Sequence, residues 1–420
     1  MKRAIPIFAI LAVGYAICIA HFCIKPVHCD EGRYVTDSRA LLQIETGKLQ
    51  LSLWSGPGYP LVLVPLSAMS LPLTVARVAN AFFLFGALIA LFASFRRFMA
   101  DGPATAAAFL VGMYPPLFND ALNAQTEVLT FLLISLCALC VLNVSKNNRL
   151  HKPVALAAIF AFAFLALTKI LFGYVLLVAL VVSAGAGIVF KRKYWMHMSA
   201  VLLGSLIVCA PWLGYTWSKT GKVFYWGTPG ELSLYWMSTP FSGEYGDWHA
   251  PEEFAVQPEL ALHHKAFFDS LSRFDPIRRN NILRSTAIHT IMTHPAKYAG
   301  NVALNMGRML FSFPFSYTPQ KTSTLVFVLS NLWIVAFFPV ALIATLRRWH
   351  SVPDEIKLLL LLVGIAFGGS ALMSAYVRQF TVLTPVVFIW FAFVNARLIN
   401  VRLAGFQSDA REDPCLVRQE

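Results

Sequence analysis

Apolar runs recur along this chain and decide what it can fold into, because a helix that crosses a lipid bilayer needs about 20 predominantly apolar residues. Of the 420 residues, 57% are hydrophobic and 13% are charged. In a soluble domain about 25% of the residues are charged. The composition therefore excludes an ordinary soluble domain and predicts an all-α protein that crosses the membrane many times.

Short basic clusters separate the apolar runs and predict the topology, since cytoplasmic loops are enriched in Lys and Arg. The clusters are Arg96 with Arg97, Lys146 with Arg149 and Lys152, Lys191 with Arg192 and Lys193, Arg347 with Arg348 and Lys357, and Arg397 with Arg402. We predict ten spans, near residues 4–24, 74–95, 104–119, 125–144, 153–168, 170–190, 197–217, 322–346, 356–376 and 381–398. Both termini are then cytoplasmic. The net charge of +13 reflects this pattern and does not indicate a nucleic-acid partner.

The spans divide the chain into an N-terminal module, a long loop and a C-terminal group of helices. We expect a transmembrane module at 1–217 with a first outer loop at 25–73, a second outer-face loop at 218–321, helices at 322–400 and a cytoplasmic tail at 401–420. Gly and Pro residues between Trp54 and Pro60 predict short helices beside the membrane in the first loop. The stretch 297–315 is assigned to an interfacial helix, because an additional span there would move Arg347 and Arg348 to the outer face.

Ionisable residues from five parts of the chain fall on the predicted outer face. They are Asp30 and Glu31 after the first span, Arg77 at the head of the second, Asp120 and Glu127 around the turn between the third and fourth, Lys169 between the fifth and sixth, and Arg378 between the ninth and tenth. Charged groups near lipid usually serve each other or a ligand, although single charges at span ends also reach water without any function. Carboxylates that accept a proton, with Lys and Arg that hold a phosphate, suit the displacement of a phosphate leaving group by a hydroxyl.

Seven short motifs follow one another along the chain. They are Asp-Glu-Gly-Arg-Tyr at 30–34, Gly-Tyr-Pro-Leu at 58–61, Ala-Arg-Val-Ala-Asn at 76–80, Thr-Glu-Val-Leu at 126–129, Leu-Thr-Lys at 167–169, His-Pro-Ala-Lys-Tyr at 294–298 and Arg-Gln-Phe-Thr-Val-Leu-Thr-Pro at 378–385. Their order resembles that of GT-C glycosyltransferases of the family 39 type, which includes protein O-mannosyltransferases and the lipid A aminoarabinose transferase. The resemblance covers residues 1–190 well and the rest loosely. Val128 stands where that family usually has proline, and Gln379 with Phe380 alters its Arg-Tyr pair.

The resemblance implies a GT-C-like bundle of about ten transmembrane helices that moves a sugar from a polyprenyl-phosphate donor to an acceptor hydroxyl, with inversion. The enzyme would work at the outer face of a bacterial inner membrane, on an acceptor glycan, lipid or protein. In that scheme the catalytic residues are Asp30, as general base, Glu31 and Glu127. Lys169, Arg378 and Arg77 bind the donor phosphate, while Arg33, Tyr34 and Tyr59 position the substrate.

No metal or other cofactor is expected to be required, because cationic side chains can neutralise a lipid phosphate. A magnesium ion at Asp30 and Glu31 is the alternative. The long loop also contains the adjacent pair His263 and His264, with His289 and His294 further along. Adjacent histidines on a helix point to different faces and no cysteine accompanies them, so we expect a solvated loop and not a zinc site.

Two other functions use similar residues. A transporter or flippase of lipid-linked sugars also binds phosphate with basic side chains, although such proteins usually have inverted repeats and polar groups at mid-membrane. A lipid-linked polysaccharide polymerase or ligase has a large outer loop and a lipid-linked oligosaccharide as donor. The sequence favours the glycosyltransferase.

Overall fold

The structure, a computed structural model, describes residues 4–22, 29–43, 50–146 and 148–399. Within these residues the α-helices are α1 (Ala4–Phe22), α2 (Cys29–Leu42), α3 (Gly58–Ala68), α4 (Leu73–Phe95), α5 (Asp101–Gly112), α6 (Pro115–Ala121), α7 (Thr126–Asn143), α8 (Lys152–Thr168), α9 (Leu171–Val189), α10 (Lys193–Val208), α11 (Ala210–Thr220), α12 (Pro229–Met237), α13 (Pro258–Leu271), α14 (Pro276–Thr293), α15 (Pro295–Phe311), α16 (Thr324–Arg347), α17 (Asp354–Ala371), α18 (Val377–Thr381) and α19 (Thr384–Phe393). Strands β1 (Ser145–Lys146) and β2 (Arg149–Leu150) form a small antiparallel hairpin. A π-helical turn at Val394–Ile399 continues α19. The all-α prediction is confirmed, and the predicted tail at 401–420 lies outside the described residues.

Several helices are long and apolar enough to cross a membrane. By length and composition, five helices of the described chain qualify: α1, α4, α7, α9 and α16. A sixth span results if α10 and α11, which are bent by 50° at their junction, are counted together. The prediction of a polytopic membrane protein is confirmed, whereas the predicted number of ten spans is not.

Two predicted spans are not continuous helices, which corrects the sequence analysis. The span at 104–119 is divided into α5 and α6, and that at 197–217 into α10 and α11. Each second helix has proline in its first turn, Pro115 with Pro116 in α6 and Pro211 in α11. Proline lacks a backbone N–H and its ring clashes with the preceding turn, so it begins a helix more readily than it continues one.

Helix α4 lies at the centre of the N-terminal bundle, where it packs against α1, α5 and α7. Its buried face carries Leu88, Leu91 and Phe92, and Phe92 meets Phe8 of α1 edge to face with ring centroids 5.9 Å apart. Large apolar side chains also point away from the bundle, for example Val181 on α9 and Leu329 on α16. An outward apolar surface on helices of this length is the surface that lipid covers.

Helix α9 separates two groups of charged residues. Lys169 lies two residues before α9 and Arg192 three residues after it, so about 28 Å of helix lies between them. The Nη1 atom of Arg192 lies 2.7 Å from Oδ1 of Asp354, at the start of α17. Asp354 also lies 3.7 Å from Nζ of Lys357, so members of two predicted cytoplasmic clusters, Arg192 and Lys357, share one carboxylate at the end of α9 opposite Lys169.

Helix α15 occupies most of the stretch predicted as an interfacial helix. It buries three polar residues, Asn301, Asn305 and Arg308, which follow one another at four and three residues along one face, together with Met309. The polar side chains of this buried face bond to backbone groups next to the candidate site.

Candidate active site

A chain of ion pairs joins four of the predicted site residues. Arg378, on α18, places Nη1 3.3 Å from Oδ2 of Asp30 on α2 and Nε 3.8 Å from Oε1 of Glu127 on α7. The same Glu127 oxygen lies 3.2 Å from Nζ of Lys169, which follows α8. Four parts of the chain thus bring two carboxylates and two cations together at one end of the bundle.

Asp30 is the solvent-facing carboxylate of this cluster. Its side chain is 22% exposed, and Arg33 Nη2 donates a 2.8 Å hydrogen bond to its Oδ1. Burial raises the pKa of Asp30, but the guanidinium groups of Arg378 and Arg33 outweigh this effect and lower it below its usual value. Asp30 is therefore ionised at neutral pH and reachable from solvent.

Glu31 points the other way, into the protein. Its side chain is fully buried and receives two hydrogen bonds from Arg77, at 2.8 Å from Nε and 2.6 Å from Nη2. The backbone N–H of Ala124 donates a third, at 2.7 Å. Loss of either partner of such a pair would leave a buried charge uncompensated, which is strongly destabilising. Glu31 and Arg77 therefore join α2, α4 and the turn before α7, and a magnesium ion at Asp30 and Glu31 would have to displace this pair.

A second side chain on α4 positions the same turn. Asn80 is fully buried, and its Nδ2 donates to the carbonyl oxygens of Ala121, at 3.0 Å, and Asn123, at 2.8 Å. These bonds hold the residues that immediately precede Glu127. The Ala-Arg-Val-Ala-Asn motif at 76–80 thus has a positioning role through both Arg77 and Asn80.

Two glycines of the first loop explain how Lys169 is placed. A Cβ atom on Gly56 would lie 2.0 Å from the carbonyl oxygen of Leu167, and one on Gly58 would lie 2.5 Å from Oγ1 of Thr168. Only glycine permits such a close approach of two backbones. The Gly-Tyr-Pro-Leu and Leu-Thr-Lys motifs therefore pack against each other, and Lys169 follows directly from that contact.

Aromatic rings line the side of the cluster formed by α2 and the first loop. Tyr34 is buried, and its ring meets that of Tyr59 edge to face at 5.1 Å. Arg33 lies 5.4 Å from the Tyr34 ring centroid and 5.7 Å from that of Trp54. Burial raises the pKa of Tyr34 to about 12, with the Glu127 carboxylate as the next cause. Tyr34 therefore stays a neutral phenol at physiological pH.

Asp120 belongs to the same neighbourhood, although the sequence assigned it no role. It is buried at the end of α6, and its Oδ2 has no hydrogen-bond partner among the described residues. Burial and the nearby Glu127 carboxylate raise the pKa of Asp120, while Arg378 and Lys169 oppose the rise. The pKa of Asp120 is thus shifted in the direction opposite to that of Asp30. The signal in the sequence was an acid directly after an apolar run.

Helix α15 fixes the segment that carries Arg378, a function that sequence reasoning missed. Asn305 Nδ2 donates to three backbone carbonyls, those of Ser370, Ala371 and Met373. Its Oδ1 accepts from the N–H of Ala375, at 3.1 Å. Arg308 donates from Nε to the Ala375 carbonyl, at 3.0 Å. The polar stripe in an otherwise apolar segment was the signal available in the sequence.

The long loop holds a second cluster of ionisable groups, and here the expectation of a solvated histidine pair is wrong. His264 is 2% exposed, and both His263 and His264 contact the carboxylate of Glu244. The two rings leave α13 in different directions, but Glu244 lies between them. Adjacent histidines can therefore meet at one acid that another segment supplies.

Comparison with known proteins finds a likeness of structure but none of sequence. No protein-family model matches the chain, and no curated protein matches it. The chain is similar to the crystal structure of ArnT from Cupriavidus metallidurans bound to undecaprenyl phosphate, with 15% identity, a TM-score of 0.38, and coverage of 92% of this chain and 77% of that chain.

Proposed function

We propose that this protein is a membrane glycosyltransferase that moves a sugar from a polyprenyl-phosphate donor to an acceptor hydroxyl. The observation that carries the proposal is the position of Arg378, whose guanidinium group lies beside Asp30 and Glu127 at once. A carboxylate base and a phosphate-binding cation are thereby held in one site at the end of an apolar helix bundle. This combination suits the transfer of a sugar from a lipid-linked phosphate to a hydroxyl.

Asp30 is the general base of the proposed reaction. It takes the proton of the acceptor hydroxyl while the hydroxyl oxygen forms a bond to the anomeric carbon, and the bond from that carbon to the phosphate oxygen breaks. Attack from the face opposite the phosphate inverts the anomeric centre. In the free protein Asp30 is a weak base, because Arg378 and Arg33 lower its pKa. A donor phosphate that binds Arg378 draws that cation away from Asp30 and so raises its basicity.

Lys169 and Arg378 neutralise the departing phosphate. Both side chains are partly exposed, by 16% and 35%, so that a ligand can reach them. Together with Arg33, these two residues give the cluster three cations, whereas Asp30 and Glu127 give it two carboxylates. The net charge of the cluster is therefore +1, which favours the binding of an anion. Charge-assisted hydrogen bonds to phosphate are among the strongest that side chains make.

Glu127 orients the two cations and is not the base in this scheme. Its side chain is only 4% exposed and already contacts both Lys169 and Arg378. The acceptor approaches from the side of Asp30, where Tyr34, Tyr59 and Arg33 form the wall. We propose the outer face of the membrane for this site, cytoplasmic termini, and a glycan, lipid or protein as the acceptor.

The lipid that accompanies the purified protein tests the donor class. We expect polyprenyl phosphate among the lipids identified by mass spectrometry, and much less of it with Arg378→Ala. Arg192→Ala is the matched control, because it removes an arginine of an ion pair at the opposite end of the bundle. Absence of polyprenyl phosphate from the wild type, together with no consumption of a polyprenyl-phosphate sugar in native membranes, would reject the proposal.

An activity assay separates a transferase from a transporter. In proteoliposomes with acceptor present, a transferase releases free polyprenyl phosphate and loses that activity with Asp30→Asn. Movement of the intact donor across the bilayer, without cleavage of the sugar–phosphate bond, would show a flippase instead.

A further inference from the structure

The long loop contains three side chains that converge on one point. Glu244 follows α12, while His263 and His264 are neighbours on α13. His263 Nδ1 lies 2.9 Å from Glu244 Oε1, and His264 Nε2 lies 3.0 and 2.9 Å from the two Glu244 oxygens. One nitrogen from each ring and one carboxylate oxygen all lie within 4.8 Å of one another.

The other contacts of these side chains fix their orientation. The hydroxyl of Tyr235 lies 2.8 Å from Nδ1 of His264, so a proton on Nδ1 leaves the lone pair of Nε2 pointing at the carboxylate. Phe241 stacks on the ring of His263 at a centroid distance of 3.7 Å. Histidines that bind metals have their second nitrogen held in this way, by a hydrogen bond that sets the tautomer and direction of the ring.

The carboxylate of Glu244 faces one nitrogen of each ring at hydrogen-bond distance. In one neutral tautomer each of these nitrogens donates its proton to the carboxylate. A divalent ion can replace both protons, because each imidazole then offers the lone pair of that nitrogen. Glu244 and His264 are each about 2% exposed, so the surrounding protein holds their ligand atoms in place. Two imidazoles and a carboxylate are a donor set that zinc accepts.

We propose that the long loop binds a divalent ion of the zinc type through Glu244, His263 and His264. The ion stabilises the fold of the loop and takes no part in the chemical step of the transfer reaction. The hydroxyl of Tyr317 occupies the fourth side, 2.6 Å from Glu244 Oε1 and 3.1 Å from His263 Nδ1. Two histidines with a glutamate also occur in catalytic zinc sites, but those keep a position open for water. The filled fourth side here favours a structural role.

The site joins segments that are distant in sequence. Glu244 precedes Asp247, whose carboxylate accepts a hydrogen bond from the backbone N–H of Ser316, at 3.0 Å. The carbonyl of the neighbouring Trp248 accepts from the hydroxyl of Tyr376, at 2.9 Å. Tyr376 is two residues from Arg378. An ion at Glu244 therefore stabilises the loop that packs against the segment carrying the phosphate-binding arginine.

Metal analysis of the full-length protein tests the proposal. The protein is purified in detergent with an affinity tag free of histidine, stripped with a chelator, and titrated with Zn²⁺ against a metal indicator. We expect about one bound ion, which raises the melting temperature, and at least a tenfold loss of affinity for His264→Ala and Glu244→Gln. His289→Ala is the matched control, because His289 lies exposed on α14 of the same loop and should leave zinc binding unchanged.

X-ray absorption of the Zn²⁺-loaded wild type keeps the test decisive if the variants do not fold. We expect two imidazole ligands and oxygen ligands around the ion. Failure of the stripped wild type to bind Zn²⁺ above 0.1 equivalent, a metal shell without two imidazoles, or equal binding by a folded His264→Ala variant would each overturn the proposal.

Discussion

Arg378 Nη1 lies 3.3 Å from Oδ2 of Asp30, although 348 residues separate the two in the sequence. The proposed base and the proposed phosphate-binding group are thus electrostatic partners before any substrate arrives. The contact keeps Asp30 ionised and at the same time limits its basicity. We therefore expect the binding of a phosphate to Arg378 to raise the basicity of Asp30 as well.

Removal of Arg378 is expected to change the pH dependence of Asp30. The arginine lowers the pKa of this carboxyl, so the wild type keeps its carboxylate as the pH falls below the usual range of an Asp, about 3.9. In Arg378→Ala the pKa rises, and protonation of Asp30 sets in at a higher pH. The measurement is the pH at which residual donor turnover falls to half on the acid side. An unchanged acid limb in Arg378→Ala, with Arg192→Ala as control, would contradict the coupling of the two residues.

Substitution of Gly58 by alanine is expected to destabilise the protein. The added Cβ atom would lie 2.5 Å from Thr168 Oγ1 and 2.6 Å from its backbone nitrogen, so the first loop or the end of α8 must move. Overpacking of this kind costs about 1–3 kcal/mol. The melting temperature in detergent measures the effect. In the matched control Gly185→Ala the new Cβ meets nothing within 4 Å, and we expect an unchanged or higher melting temperature. Equal melting temperatures for both variants would contradict the close contact.

Asn305→Asp is expected to loosen the segment before Arg378. The change keeps the side-chain volume but puts a carboxylate oxygen in place of an N–H donor that faces three backbone carbonyls. Unpaired buried acceptors cost about 1–3 kcal/mol each at most sites. Hydrogen exchange of residues 370–376 should become faster, and donor affinity should fall with Arg378 still present. Asn281→Asp, at an exposed position of α14, serves as control and should change neither. If the amides of residues 370–376 exchange as slowly in Asn305→Asp as in the wild type, the positioning role of α15 is contradicted.

The sidedness of the membrane is tested by single cysteines at the two ends of α9. We expect a membrane-impermeant maleimide added from outside to label Lys169→Cys but not Arg192→Cys, because the basic cluster around Arg192 should be cytoplasmic. Labelling in intact cells, compared with labelling after permeabilisation, gives the result. The reverse pattern would place the site in the cytoplasm and contradict an outer-face reaction.

The sequence could predict the elements of the site but not all of their contacts. Counting the spans put Asp30, Glu127, Lys169 and Arg378 on one face, and the structure brings these four together. Charge and hydropathy depend only on nearby residues in the sequence, and this is sufficient to assign the end of each span to one side of the membrane. The buried pair of Glu31 with Arg77 bridges 46 residues, and no local pattern distinguishes it from a pair of ligand-binding groups.

The helix breaks and the histidine cluster show where local patterns are insufficient. Hydropathy predicted one span at 197–217, but Pro211 starts a new helix and the axis turns by 50°. Helical periodicity separated His263 from His264, whereas Glu244 from another segment joins them. In both cases the outcome depends on a tertiary contact or a single backbone group, which average hydropathy does not register.

The measurement that tests the central claim most directly compares donor binding and turnover in Asp30→Asn. The amide keeps the shape of the side chain and removes the base, so we expect turnover of a polyprenyl-phosphate sugar to fall by about 100-fold to 10,000-fold. Donor affinity should stay the same or increase, since Arg378 loses a competing carboxylate. Asp101→Asn, which removes a carboxylate paired with Arg96 at the other end of the bundle, should behave as the wild type. Full turnover in Asp30→Asn would contradict the account.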